Sequence, residues 1–123
     1  MLMLYDDRDL IEEVLEMSTV YHEIFVKKLL QYDLTFFCLC DDIAYKTGTV
    51  ISPRVLRKMW LPRMNRLMSP IVNKGIPILY HSDGNIWEMI PDLLDMGVNA
   101  INPIEPYGMD IIDVKRRSGK TLL

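Results

Sequence analysis

The chain has 123 residues, half of them hydrophobic and a quarter charged, which is the composition of one ordinary globular domain with a modest core. A formal net charge of -3, with no Lys/Arg run interleaved with aromatics, excludes a nucleic-acid footprint. Apolar runs fall far short of a membrane span, and the opening MLMLYDDRDL turns acidic without a basic start, so neither a spanning segment nor a secretory signal is read; a single cytoplasmic domain over 1–123 is expected.

In chain order, Leu10, Ile11, Val14, Leu15, Tyr21, Ile24, Phe25 and Leu29 recur at three- and four-residue steps. They predict an amphipathic helix with that set as its stripe. Asp9 and Glu12 have the spacing of its capping box. LTFFCLC (34–40) is an apolar run of strand length. Its two cysteines, Cys38 and Cys40, share a face but cannot bridge each other comfortably, and they read as reduced, buried thiols. The polar stretch DDIAYKTGTVI follows.

Ser52 and Pro53 have the character of an N-cap and first helical residue. The helix they open carries Val55, Leu56, Met59, Trp60, Met64, Leu67, Met68 and Ile71, and Gly75 stops it. Pro62 and Pro70 are expected to kink or divide it. IPILYH (76–81) is the second strand. Asn85 with Glu88 resembles a helix start, Ile86, Met89, Ile90, Leu93 and Leu94 give the stripe, Pro91 fits that helix poorly, and Gly97 ends it. VNAINPI (98–104) is the third strand. Asp110 opens a last helix with Ile111, Ile112 and Val114 inward and Lys115, Arg116 and Arg117 in its final turn, where cations suit the macrodipole. Gly119 stops it, and residues 121–123 read as a fourth strand beginning. The nine methionines read as core, and Trp60 and Trp87 as packing or interface residues.

Strands separated by helices must run parallel, so the fold class is α/β with a parallel sheet. In such architectures the loops after the strands gather at one end, where sites form. The first strand exits into Asp41 and Asp42, the second into His81, Asp83 and Asn85, the third into Asn102 and Glu105. The opposite connections, NKG (73–75) and SGK (118–120), hold no such cluster. The His81-x-Asp83 spacing lets both side chains serve a hard or borderline metal such as zinc. No dinucleotide fingerprint, P-loop, nucleophile elbow or CxxC pair occurs.

The succession LCDDIAYKTGTVISPRVLRKMWLPRMNRL, IPILYHSDGNI, LLDMGVNAINPIEP and GKTLL resembles the uroporphyrinogen decarboxylase superfamily, from about Leu4 onward. The combination carries the resemblance: DD at a strand end, ISP at a helix start, LP within that helix, HSDGN after one strand and GVNAINPIEP around the next. It implies a TIM-type β/α barrel of eight strands. Such a barrel takes about 250 residues, so this chain is expected to form a partial one that starts after the family's early strands and stops as a new one begins. A half barrel leaves open edges, and the expectation is a homo-oligomer, with two copies pairing edge to edge as one arrangement.

The resemblance also implies chemistry. The superfamily holds porphyrinogen decarboxylases and cobalamin-dependent methyltransferases. The decarboxylases' N-terminal arginine segment and early-strand aspartate match nothing in this chain. The methyltransferases commonly carry His-x-Cys after the strand equivalent to IPILYH; here His81 matches, and Asp83 stands where the cysteine would. A usual Gly-x-Asp before the first strand is replaced by Gln31, Tyr32 and Asp33. The leading expectation is C1 transfer from a methyl-corrinoid to a thiol. Asp42, His81, Asp83 and Glu105 are its catalytic set, His81 and Asp83 the ligands of a zinc ion, and Asp41, Asn85 and Asn102 the contacts to a cofactor. The corrinoid would be carried by a partner protein. Porphyrinogen decarboxylation in tetrapyrrole biosynthesis is the alternative, and a non-catalytic remnant or interaction module the third.

Overall fold

Residues 3–119 are described by a computed structural model. A short helix α1 (Met3–Asp6) leads into the long α2 (Arg8–Leu29). Strand β1 (Phe37–Cys40) is followed by a two-stranded antiparallel hairpin, β2 (Ala44–Tyr45) and β3 (Gly48–Thr49). Next come α3 (Pro53–Val55), a π-helical turn (Leu56–Trp60) and α4 (Leu61–Asn73) in unbroken succession. Strand β4 (Ile78–His81), a 3₁₀ turn (Trp87–Met89), α5 (Ile90–Asp95), β5 (Val98–Asn102) and α6 (Ile111–Ser118) complete the order. β1, β4 and β5 form one parallel sheet in the order β1-β4-β5. This is the expected alternation of a partial β/α barrel, and the sheet does not close among the described residues. The expected strand at 121–123 lies outside them.

Prolines set the strand limits. The ladder between β1 and β4 starts where the Phe37 N–H donates to the Pro77 carbonyl, 2.8 Å. Pro77 has no N–H to return, so 34–36 and 76–77 stay outside the sheet although the sequence reading included them. β5 likewise ends at Asn102, before Pro103, two residues short of the expected span.

The sheet has two unlike faces. Ile78 and Tyr80 of β4 and Val98 and Ile101 of β5 point to the helices and are buried, with Ile78 and Tyr80 at 1% and 0% exposure. Against them pack Leu67, Met68 and Ile71 from α4, Ile90 and Leu93 from α5 and Val114 from α6. Each such side chain stabilises the fold by roughly 1.5–3 kcal/mol relative to exposure. The register brings Cys38 beside Leu79 and Ala100, and Cys40 beside His81 and Asn102, on the other face. On that face Leu79, His81 and Ala100 are half-buried and Cys38, Cys40 and Asn102 exposed. Cys38 and Cys40 are therefore not buried as their residue type suggested.

Several helical expectations change. The cap of α2 is Asp7, whose Oδ1 accepts the Leu10 N–H at 3.1 Å; Asp9 lies two residues further on, in the first turn. Glu12 instead pairs with Arg8 at 3.1 Å. Of the predicted stripe, Leu10, Val14, Tyr21, Ile24 and Phe25 are exposed. α2 meets α4 through a narrower face that includes Thr19 and Val26, with Arg66 bonded to Glu16 and Glu23 along the seam. Pro62 does not divide the next helix. The Leu61 N–H reaches back to the Leu56 carbonyl, a wide π turn that re-registers the ladder just before the residue that lacks a donor. Pro70 lies inside α4, which continues to Asn73 while Ile71 is held at 0% exposure. Pro91 falls in the first turn of α5, where its missing N–H costs nothing. Asp110 caps α6 as expected, accepting from Ile112 and Asp113, yet Ile111 and Ile112 point outward and only Val114 of the three is buried. Trp60 packs edge-to-face on Tyr80, and the Arg117 guanidinium stands 4.7 Å over Trp87.

Candidate functional site

The carboxyl ends of β1 and β4 lie side by side because Cys40 is the register partner of His81. The chain then turns over the sheet end at Asp42 and at Asp83. Asp42, His81 and Asp83 each present a donor atom, and all three donors lie within 4.8 Å of one another. His81 Nε2 is 3.8 Å from Asp42 Oδ1, and that same oxygen accepts the Asp83 backbone N–H at 2.9 Å. Asp42 and Asp83 are exposed and His81 is half-buried, so the cluster opens to solvent.

The two loops are locked by buried groups that the sequence did not announce. Ser82 is fully buried; its Oγ accepts the Ile43 N–H at 3.2 Å and donates to the Asp83 carbonyl at 3.0 Å. The Tyr80 hydroxyl donates to the Asp41 carbonyl at 2.8 Å, and burial first, then the nearby Asp41 charge, push its ionisation well above the usual tyrosine range. Gly84 follows with φ +85°, and the hairpin passes directly over it: the Asn85 N–H donates to the Tyr45 carbonyl at 2.8 Å. A Cβ on Gly84 would sit 2.7 Å from that carbonyl oxygen.

Glu105 reaches the same place from β5. Its Oε2 accepts the Gly84 N–H at 2.7 Å. It also holds the Tyr107 hydroxyl, whose pKa this contact raises to about 12. Lys46 Nζ stands 5.1 Å over the Tyr107 ring. Nothing in PIEPYG distinguishes Tyr107 from an ordinary turn residue.

The remaining expected site residues stay outside the cluster. The Asp41 carboxylate accepts the Trp60 indole N–H. Asn85 Oδ1 accepts the Trp87 N–H in a local turn, 3.1 Å. Asn102 is the register partner of His81 and is exposed at the end of β5. Beside Asp41 and Asp42 a cavity of about 310 Å³ opens between α2, the hairpin and the π turn, lined by Ile11, Leu15, Ile43, Val50, Leu56 and Met59 among others. Its walls are apolar, and pockets of about 300–1,000 Å³ accept small molecules.

One imidazole and two carboxylates form a donor set that zinc accepts, with a fourth position for water or substrate. Ligand atoms on a tetrahedral zinc at about 2.1 Å lie about 3.4 Å apart. The three donors therefore need only a small inward rotation, and the set fits the ion.

A family profile for Uroporphyrinogen decarboxylase (URO-D) matches residues 1–121. The chain belongs to the uroporphyrinogen decarboxylase family. The match spans every element described above and includes the strand ends that carry Asp42, His81 and Glu105. No curated protein and no solved structure matches the chain. In this member of the uroporphyrinogen decarboxylase family no helix among the described residues is long and apolar enough to cross a membrane.

Proposed function

We propose that this uroporphyrinogen decarboxylase family chain serves C1 transfer of the methyltransferase type, from a methyl-corrinoid carried by a partner protein to a small thiol. The observation that carries the reading is the convergence of Asp42, His81 and Asp83 within 4.8 Å. His81 and Asp83 would hold a zinc ion, with Asp42 closing the set. Zinc bound there lowers the pKa of a thiol acceptor and makes it nucleophilic. Glu105, fixed by the Gly84 N–H and by Tyr107, holds the third strand's loop against the second. The apolar cavity beside Asp42 supplies a water-poor wall for the thiol's carbon chain.

The acidity of the rim argues against porphyrinogen decarboxylation. Gripping a substrate with several carboxylates calls for cations, whereas Asp41, Asp42, Asp83 and Glu105 line these strand ends. Lys46 stands over the Tyr107 ring, 5.1 Å from its centroid. The test has two arms. The zinc-loaded chain, given methylcobalamin and a small thiol, should form the S-methyl product above background and lose that activity in His81→Ala. Uroporphyrinogen should remain unchanged. Decarboxylation would support the alternative, and inactivity of the folded chain in both arms would support a non-catalytic module.

We also propose that the chain self-associates. Leu10, Val14, Met17, Tyr21 and Ile24 of α2 alternate at four- and three-residue steps and are 39–69% exposed. That is the seam of a two-helix pairing. Antiparallel pairing of two copies about Met17 brings Lys27 of one level with Asp7 of the other, so the charges at the two ends match. Light scattering should report a dimer that Met17→Glu converts to a monomer; a wild-type monomer at micromolar concentration would end this proposal.

A further inference from the structure

Cys38 and Cys40 stand on the open face of the sheet, on the edge strand β1, outside the Asp42–His81–Asp83 cluster. Their Sγ atoms are 3.5 Å apart. We propose that they form a dithiol site for a soft, thiophilic cation.

A disulfide needs its sulfurs at about 2.05 Å and its Cα atoms within about 6.8 Å. Residues two apart on a strand have Cα atoms about 6.7 Å apart, at the limit of that range. β1 pairs with β4 over both cysteines, which holds this stretch extended. Same-face side chains on one strand keep their Cβ atoms near that spacing, beyond the about 3.5–4.5 Å a disulfide needs, so the pair is better placed to chelate than to bond. Two sulfurs on a tetrahedral ion at about 2.3 Å sit about 3.8 Å apart, within a few tenths of an ångström of the spacing present. Thiolates select soft metals over the hard cations that carboxylates prefer. Both side chains are exposed, so an ion reaches them without local unfolding. Binding displaces the two thiol protons to solvent and involves no change of oxidation state.

The probe is cadmium, whose bonds to thiolate absorb in the near ultraviolet. Titration of the reduced full chain should give the thiolate-to-cadmium band saturating at one ion per chain. Cys38→Ser and Cys40→Ser should each weaken binding at least 100-fold, and Asp83→Ala should leave the band intact. Asp83→Ala separates this site from the zinc cluster, since it removes one and spares the other. A band retained in either serine variant, a stoichiometry of two chains per ion, or no band in the wild type would overturn the proposal. Circular dichroism of the variants matching the wild type excludes misfolding as the cause of a loss.

Discussion

Gly84→Ala is expected to lower stability by about 3 kcal/mol or more and to disrupt the strand-end site with it. Two costs combine. At φ +85° an L side chain is strained by about 1–2 kcal/mol. The new Cβ would also lie 2.7 Å from the Tyr45 oxygen and 2.8 Å from its carbonyl carbon and nitrogen. Those are backbone atoms of the β2–β3 hairpin, which cannot swing aside as a flexible side chain would, and overpacking of this kind costs roughly 1–3 kcal/mol more. Relief requires the hairpin to lift, which breaks the Asn85–Tyr45 bond and drags at the Gly84–Glu105 bond. Gly75→Ala is the control: its φ is +69° but no heavy atom lies within 4 Å of the added Cβ, so it should show the conformational cost alone, about 1–2 kcal/mol. Urea midpoints compare the two. Equal losses would mean the hairpin does not press on Gly84.

His81→Ala is expected to weaken zinc binding by on the order of 100-fold or more. Loss of an outer-shell partner alone commonly costs about 10–100-fold, and His81 supplies the single nitrogen donor of the cluster. Asp83→Ala should approach the same loss. Glu105→Gln should change affinity little, because Glu105 bonds the Gly84 N–H and Tyr107 and lies outside the three-donor set. Competition against a zinc indicator measures all three. Undiminished affinity in both His81→Ala and Asp83→Ala would remove the metal from the proposed function.

The parallel α/β order was legible because apolar runs of strand length alternate with three- and four-step periodicity. From that order the strand-end rule placed Asp41, Asp42, His81, Asp83, Asn85, Asn102 and Glu105 at one end of the sheet, and the structure gathers Asp42, His81 and Asp83 of these within 4.8 Å. The hairpin was not legible: β2 and β3 hold two residues each, too few for an alternating pattern, and they pair only with each other. The inward face of α2 was misread because a stripe of apolar residues states that a face wants covering, not by what. Cys38 and Cys40 were misplaced for the same reason, since burial depends on what layers over the sheet. Pro62 looked disruptive because a π turn leaves no signature in composition. Tyr107 and Ser82 act through contacts set by tertiary placement, and small or aromatic residues in turns carry no spacing that would reveal them.

The central claim is that β1 and β4 deliver Asp42, His81 and Asp83 to a single metal-sized cluster. Anomalous diffraction at the zinc edge from zinc-soaked crystals tests it directly. The account predicts a peak at about 2.0–2.2 Å from His81 Nε2 and from an oxygen of Asp42 and of Asp83. A peak elsewhere with none at these strand ends, or the three side chains found at separate parts of the surface, would contradict it.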